Sequence, residues 1–188
     1  MSSTAIFGIL IIFSYFIGSI PTGKILGLIR HIDIQKHGSG NIGFANAVRV
    51  LGWPFAFVVL FGDTIKGFIP TYIAMQSSSG WQVGVVGLVA IIGHVFPVWL
   101  RFKGGKGIAT GLGVTLAISP KLGAVGFITY LFLMALLRKS GPSSVITSWT
   151  MIIWGLFLSP TIALYYAVLA IFATWTHRVN IKQFISNE

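Results

Sequence analysis

The stretch Phe96-Pro97-Val98-Trp99-Leu100-Arg101-Phe102-Lys103-Gly104-Gly105-Lys106-Gly107 sets a glycine–lysine turn between long apolar runs. Glycine lets a backbone bend until successive N–H groups face one anion, and lysine adds point charges that hold it. Such a turn suits a phosphate-bearing reactant at a membrane surface. It lacks the first glycine and the Lys-Ser/Thr ending of a nucleotide P-loop and follows no strand, so that motif is excluded. Juxtamembrane lysines alone would satisfy the positive-inside rule, but not three glycines around Lys106, which weaken any helix there.

A second turn of similar character, Gly38-Ser39-Gly40-Asn41-Ile42-Gly43, precedes Phe44-Ala45-Asn46-Ala47-Val48-Arg49. A helix starting after it would offer its first amides and the positive end of its dipole to a phosphate. A flexible linker with an N-cap is the plainer alternative. Asp63 and Lys66 lie inside an apolar run at i, i+3 spacing, where they can neutralise each other on one helix face. Whether they form a structural ion pair or touch substrate, they predict a polar interior. Ser140-Gly141-Pro142-Ser143-Ser144 supplies hydroxyls for a phosphate or a cap for the next helix. In His177-Arg178-Val179-Asn180 the histidine is a base, a phosphate donor or an interfacial anchor. His94, beside Gly93 in an apolar run, reads as a core histidine bonded to a backbone carbonyl.

These groups must be positioned by membrane helices. The chain has 188 residues, 55% of them hydrophobic and 9% charged, with a mean hydropathy of +0.88, which describes a polytopic membrane protein of one all-α bundle and a single domain, 1–188. It contains no cysteine, which excludes a disulfide framework and a thiolate metal site. Three acids and four dispersed histidines give no zinc-like spacing and too few carboxylates for a two-metal centre, so neither metal nor cofactor is expected. The net charge of +10 is spread over short loops without a continuous stripe. That disfavours nucleic acid and fits anionic lipid headgroups and small anions. The N-terminus carries no positive n-region or cleavage site, so its apolar run is the first span.

Apolar runs occupy about 5–29, 50–75, 81–100, 108–137 and 144–176. The last two are too long for one crossing, and each is interrupted by Ser-Pro (Ser119-Pro120 and Ser159-Pro160), a break that suits a hairpin tip. Division there gives seven transmembrane segments, of which 108–118 and 144–158 are short or re-entrant. With the N-terminus outside, Arg30, Lys36, Arg49, Arg101, Lys103, Lys106, Arg138, Lys139, Arg178 and Lys182 face the cytoplasm and Lys121 alone faces outward. The active-site loops and the C-terminus are then cytoplasmic.

Two anion-binding turns, without a carboxylate dyad or a Ser-His-Asp order, favour phosphate-bearing substrates and little covalent work by the protein. An acyl phosphate is already activated, so attack by an alcohol needs mainly positioning and charge stabilisation. Direct transfer is favoured over a seryl acyl-enzyme. The alternative is a small membrane transporter for an anionic metabolite, for which intramembrane charge and broken helices also speak. A lipid-binding scaffold would not need glycines beside its cations.

Gly18-Ser19-Ile20-Pro21-Thr22-Gly23, Gly38 to Gly43, Asp63-x-x-Lys66-Gly67, Gly93-His94-x-Phe96-Pro97, Phe102 to Gly107 and His177-Arg178-x-Asn180-Ile181 together resemble the bacterial integral-membrane acyl-phosphate:glycerol-3-phosphate acyltransferases, the PlsY family. The resemblance implies transfer of a fatty acyl group from acyl phosphate to the 1-hydroxyl of glycerol 3-phosphate. The products are lysophosphatidic acid and phosphate, an early step of phospholipid biosynthesis in the bacterial inner membrane. It implies that Ser39, Gly40, Asn41 and Gly43 cradle the acyl phosphate. Asn46, Arg49, Lys106, Ser143, His177 and Asn180 surround glycerol 3-phosphate, with Lys103, Gly104 and Gly105 shaping the same pocket. Lys106, Arg49 and His177 are the catalytic candidates. Membrane lipid is an implied partner, as is a soluble enzyme that makes acyl phosphate. The chain departs from the family pattern at Gln35 and Gln183, where basic residues are usual, at Asn187, where glycine is usual, and at Phe44-Ala45, where Ala-Thr is usual.

Overall fold

A backbone that crosses lipid must satisfy its own N–H and C=O groups, and all regular structure among the described residues is helical. The computed structural model describes residues 2–186; Asn187 lies outside them. In chain order the helices are α1 (Ser3–Ser19), α2 (Thr22–Ile29), α3 (Phe44–Leu51), α4 (Trp53–Ser77), α5 (Gly80–Val95), α6 (Ile108–Ile118), α7 (Pro120–Leu137), α8 (Ser140–Leu156), α9 (Pro160–Thr176) and α10 (Arg178–Ile185). Each of the seven expected segments contains a helix. Four stretches (Ser3–Ile29, Trp53–Ser77, Gly80–Leu100 and Pro120–Leu137) are long and apolar enough to cross a membrane, or five if α9 and α10, bent by 66°, count as one. Helix length alone therefore supports fewer crossings than seven.

Both Ser-Pro breaks fall where the sequence placed them. Ser119 Oγ accepts from the Leu122 amide at 3.3 Å and Ser159 Oγ from the Ile162 amide at 3.2 Å, so each serine is an N-cap with proline at the first helical position. Two expectations are corrected. The first run is not one helix: Pro21 separates α1 from α2. Ser143 and Ser144 are not caps but interior residues of α8, which starts at Ser140.

Backbone packing separates two compact units, Met1–Ile118 and Ser119–Glu188. In the first, α4 packs on α6 and α1 on α5, both through glycine. A Cβ on Gly67 would overlap the Thr110 carbonyl and one on Gly113 the Thr64 carbonyl, while Gly18 lies against the Ala90 carbonyl. Small residues let membrane helices approach this closely when lipid is as apolar as the side chains. Polar groups turn inward: Ser14, Thr71, Thr110, Asp63 and Lys66 are buried, whereas Phe57, Phe61 and Ile73 are exposed. In the second unit α8 packs on α7 and α9, with Leu122, Met151 and Tyr166 at its core.

Candidate active site

The turn before α3 is wound around one side chain. Asn46, 1% exposed, accepts from the Ser39 amide through Oδ1 at 2.9 Å. Its Nδ2 has two hydrogens to share among three carbonyls within reach, those of Ile34 (3.2 Å), His37 (3.1 Å) and Asn41 (2.8 Å). Gly38 has φ +60°, and a Cβ there would overlap Asn46 Oδ1, so glycine is required for the chain to close around the amide. Asn41 Oδ1 accepts from the Gly43 amide at 2.8 Å, an Asx turn that leads into α3. Gly43 is the N-cap of α3 and brings no side-chain cap, which leaves the first amides of α3 to other acceptors. Asn46, expected beside substrate, has its amide engaged by this loop, where it meets the Ser39 amide and the Asn41 carbonyl.

The lysine turn is built differently, and here the structure overturns an expectation. The amides of Phe102, Lys103, Gly104 and Gly105 donate to the carbonyls of Pro97 (3.0 Å), Leu100 (3.1 Å), Val95 (3.0 Å) and His94 (3.1 Å). None of the four is turned toward an anion: the Gly104 and Gly105 amides finish the C-terminal end of α5, whose last carbonyls have no helical partner, and the Phe102 and Lys103 amides close the short turn over 97–100. Gly104 and Gly105 are glycine because Cβ atoms would overlap the His94 carbonyl and the His94 ring respectively. What the turn presents is its side chains. Lys103 is exposed and Lys106 half-buried. Burial, and then the charge of Arg49, hold the Lys106 ammonium below the ordinary lysine value of 10.5, which places the two cations within electrostatic reach. Arg49 itself is exposed on α3.

Sequence reasoning missed Gln35. Its Nε2 donates to the Lys103 carbonyl at 3.0 Å, a direct link between the two turns from a position noted only as a departure from the family pattern. Nor is His94 bonded to a backbone carbonyl through its ring as expected: Nδ1 faces Asp63 Oδ1 at 3.7 Å. The Asp63–Lys66 pair is present, at 2.9 Å.

In the second unit, Ser143 is buried near the start of α8, where its hydroxyl donates to the Lys139 carbonyl at 2.9 Å. His177 closes α9 and is also buried. Its Nδ1 lies 2.9 Å from the Ala173 carbonyl and 3.2 Å from Thr176 Oγ1. A carbonyl only accepts, so Nδ1 carries the proton and a neutral ring has its lone pair on Nε2. Asn180 follows on α10, its Cβ against Gly141 of α8: a Cβ added to that glycine would come within 2.7 Å. Gly141 thus lets the start of α8 meet α10, which brings Asn180 to the turn of helix that holds Ser143.

A family model described as glycerol-3-phosphate acyltransferase matches residues 8–187. The glycerol-3-phosphate acyltransferase of Bacillus subtilis (strain 168) is 38% identical over 180 residues, 95% of this chain and 93% of that protein. The crystal structure of PlsY, an integral membrane glycerol 3-phosphate acyltransferase, in its glycerol 3-phosphate form matches with a TM-score of 0.92 at 32% identity, covering 96% of this chain and 92% of that one. Its lysophosphatidic acid form matches with a TM-score of 0.89 at the same identity and coverage. This chain belongs to the glycerol-3-phosphate acyltransferase (PlsY) family of integral membrane proteins.

Proposed function

We propose that the protein transfers a fatty acyl group from acyl phosphate to the 1-hydroxyl of glycerol 3-phosphate at the cytoplasmic face of the bacterial inner membrane. The hydroxyl oxygen attacks the acyl carbonyl carbon. The ester C–O bond forms as the C–O bond to phosphate breaks, and the hydroxyl proton passes to an oxygen of the departing phosphate. Products are lysophosphatidic acid and inorganic phosphate, with no acyl-enzyme and no resident cofactor or metal.

The observation that carries this reading is the hydrogen bond from Gln35, just ahead of the first turn, to the Lys103 carbonyl of the second, beside which Arg49 of α3, after burial, lowers the pKa of Lys106. Crowding two like charges raises the energy of the empty site, and a phosphate dianion relieves it. In this reading Ser39, Gly40, Asn41 and Gly43 face the acyl phosphate, with Asn46 behind them. Arg49, Lys103 and Lys106 take the phosphate of glycerol 3-phosphate, while Gly104 and Gly105 fix the path of the lysine turn. Ser143, His177 and Asn180 keep the substrate-binding role that the family resemblance gives them, and a single acyltransferase domain, 1–188, belongs to the same proposal. The seven-crossing topology with an outside N-terminus belongs to the same proposal, as do lipid contact and delivery of acyl phosphate by a soluble enzyme.

The test is purified protein in liposomes given acyl phosphate and glycerol 3-phosphate, with phosphate release and lysophosphatidate measured. Product without transbilayer flux supports acyl transfer; flux without product means a transporter. Acyl-CoA as the only productive donor would remove the acyl-phosphate assignment. Lys106→Ala is expected to lower kcat/KM by about 10³-fold, since it removes a charge aimed at phosphate. His177→Gln is expected to keep kcat near that of the unsubstituted protein. The reverse pattern would make His177 the base.

A further inference from the structure

The acyl-transfer reading gives no task to the buried ionic cluster of the first unit, and its contacts assign one. Asp63 and Lys66 of α4 and His94 of α5 are each no more than 3% exposed, in stretches long and apolar enough to cross a membrane. Charged groups at that depth are retained only when they pair or line a polar path, at an insertion cost of roughly 2.5–3.5 kcal/mol each. Here each arm of the cluster ends on backbone that leads to one of the two turns. Lys66 Nζ donates to the Ile20 carbonyl at 2.8 Å, at the break that Pro21 makes between α1 and α2. From that break α2 carries Gly23, on which a Cβ would overlap the carbonyl oxygen of Ile42 in the first turn. The His94 ring occupies the space where Gly105 would carry a Cβ. The carbonyls of His94 and Val95 receive the Gly105 and Gly104 amides of the second turn. Asp63 Oδ1 faces both partners, 2.9 Å from Lys66 and 3.7 Å from His94.

We infer that Asp63, Lys66 and His94 are positioning residues that fix the two glycine-rich turns, with Asp63 as the shared anchor. A translocation pathway would need polar groups leading onward from the cluster, whereas Lys66 ends on the Ile20 carbonyl and His94 abuts Gly105. The kinetic consequence rests on the acyl-transfer reading; the structural one does not. Small misplacements of a substrate-holding group cost up to ~10²-fold in rate, so removal of the anchor is expected to act through glycerol 3-phosphate binding.

The experiment uses the full chain purified in detergent, with hydrogen–deuterium exchange resolved by mass spectrometry and steady-state kinetics on the same samples. Asp63→Asn and His94→Ala are each expected to speed amide exchange across residues 103–107 by about tenfold, with α7 to α9 unchanged. KM for glycerol 3-phosphate is expected to rise about tenfold while kcat changes less than about threefold. Exchange in 103–107 at the unsubstituted rate in both folded variants overturns the inference, as does a uniform rise over the whole chain. Should neither variant fold, Gly105→Ala decides alone: its Cβ would strike the His94 ring, so exchange across 103–107 should rise about tenfold with α7 to α9 unchanged. Exchange in 103–107 at the unsubstituted rate, or a uniform rise over the whole chain, then overturns the inference. If the unsubstituted protein transfers no acyl group from any donor, the activity reading fails and the exchange result still decides the positioning role.

Discussion

The two glycine-rich turns look alike as strings of letters and are held by opposite means. The turn at 38–43 closes around a side chain, Asn46, which answers its backbone from inside. The turn at 101–107 closes onto backbone, the exposed carbonyl end of α5. In the first, glycine makes room for an amide; in the second, for a carbonyl and an imidazole. A glycine–lysine pattern is therefore no proof of an anion nest. In this protein it is a way to lay a turn on a helix end, with its Gly104 and Gly105 amides spent on the last carbonyls of α5.

The largest effect separating the two designs is expected at Asn46. Leucine there would leave one amide and three carbonyls of the turn without their partner, at roughly 1–3 kcal/mol for each stranded group. Local collapse of 34–43 and a loss of kcat/KM on the order of 10²-fold or more follow, while exchange in 101–107 holds. Asn46→Asp is the sharper variant, being the same shape with an acceptor where three carbonyls expect a donor. It should be as damaging as leucine. An aspartate variant with near-normal activity would mean that Oδ1 and Ser39 alone organise the turn.

A second contrast is electrostatic. Lys106 sits below the ordinary lysine value because of burial and then Arg49. The alkaline limb of kcat/KM, which reports the free enzyme, should therefore lie below 10.5. Arg49→Gln removes one of the two causes, so the limb of the residual activity should move up, though burial keeps it under the ordinary value. Stability runs the other way. Between the folded and unfolded pKa of Lys106 the unfolded chain binds more protons, so this group's contribution rises with pH as activity falls. A limb that stays put after Arg49→Gln would show the two cations to be electrostatically independent.

What could be read from the sequence follows from the range of each interaction. The Ser-Pro caps, the Asp63–Lys66 pair and the start of α3 after its glycine turn depend on neighbours within a few residues, and period and spacing reveal them. The break at Pro21 was equally local and was overlooked because apolar residues run through it. By contrast, nothing in a string of letters says that the Gly104 and Gly105 amides turn back to α5, or that Asn46 faces inward. Those facts depend on which way a loop folds over a helix end. The placement of Ser143 within α8 was hidden by Gly141-Pro142, which reads as a turn yet sits in a helix's first turn, where proline is tolerated.

The smallest predicted effect tests whether the two turns act as one. Gln35 Nε2 reaches the Lys103 carbonyl from a partly exposed position, where a neutral hydrogen bond contributes about 0.5–1.5 kcal/mol. Gln35→Ala should therefore cost kcat/KM no more than about tenfold. The sign of the substituent carries more information than the loss. Lysine keeps a donor facing the carbonyl and should nearly match glutamine, in line with the basic residue that the family pattern has there. Glutamate sets an acceptor against an acceptor and should fall below alanine. An order of Lys and Gln, then Ala, then Glu requires the bond to exist in the working protein. If glutamate is no worse than alanine, each turn is held only by its own device, Asn46 for one and the end of α5 for the other.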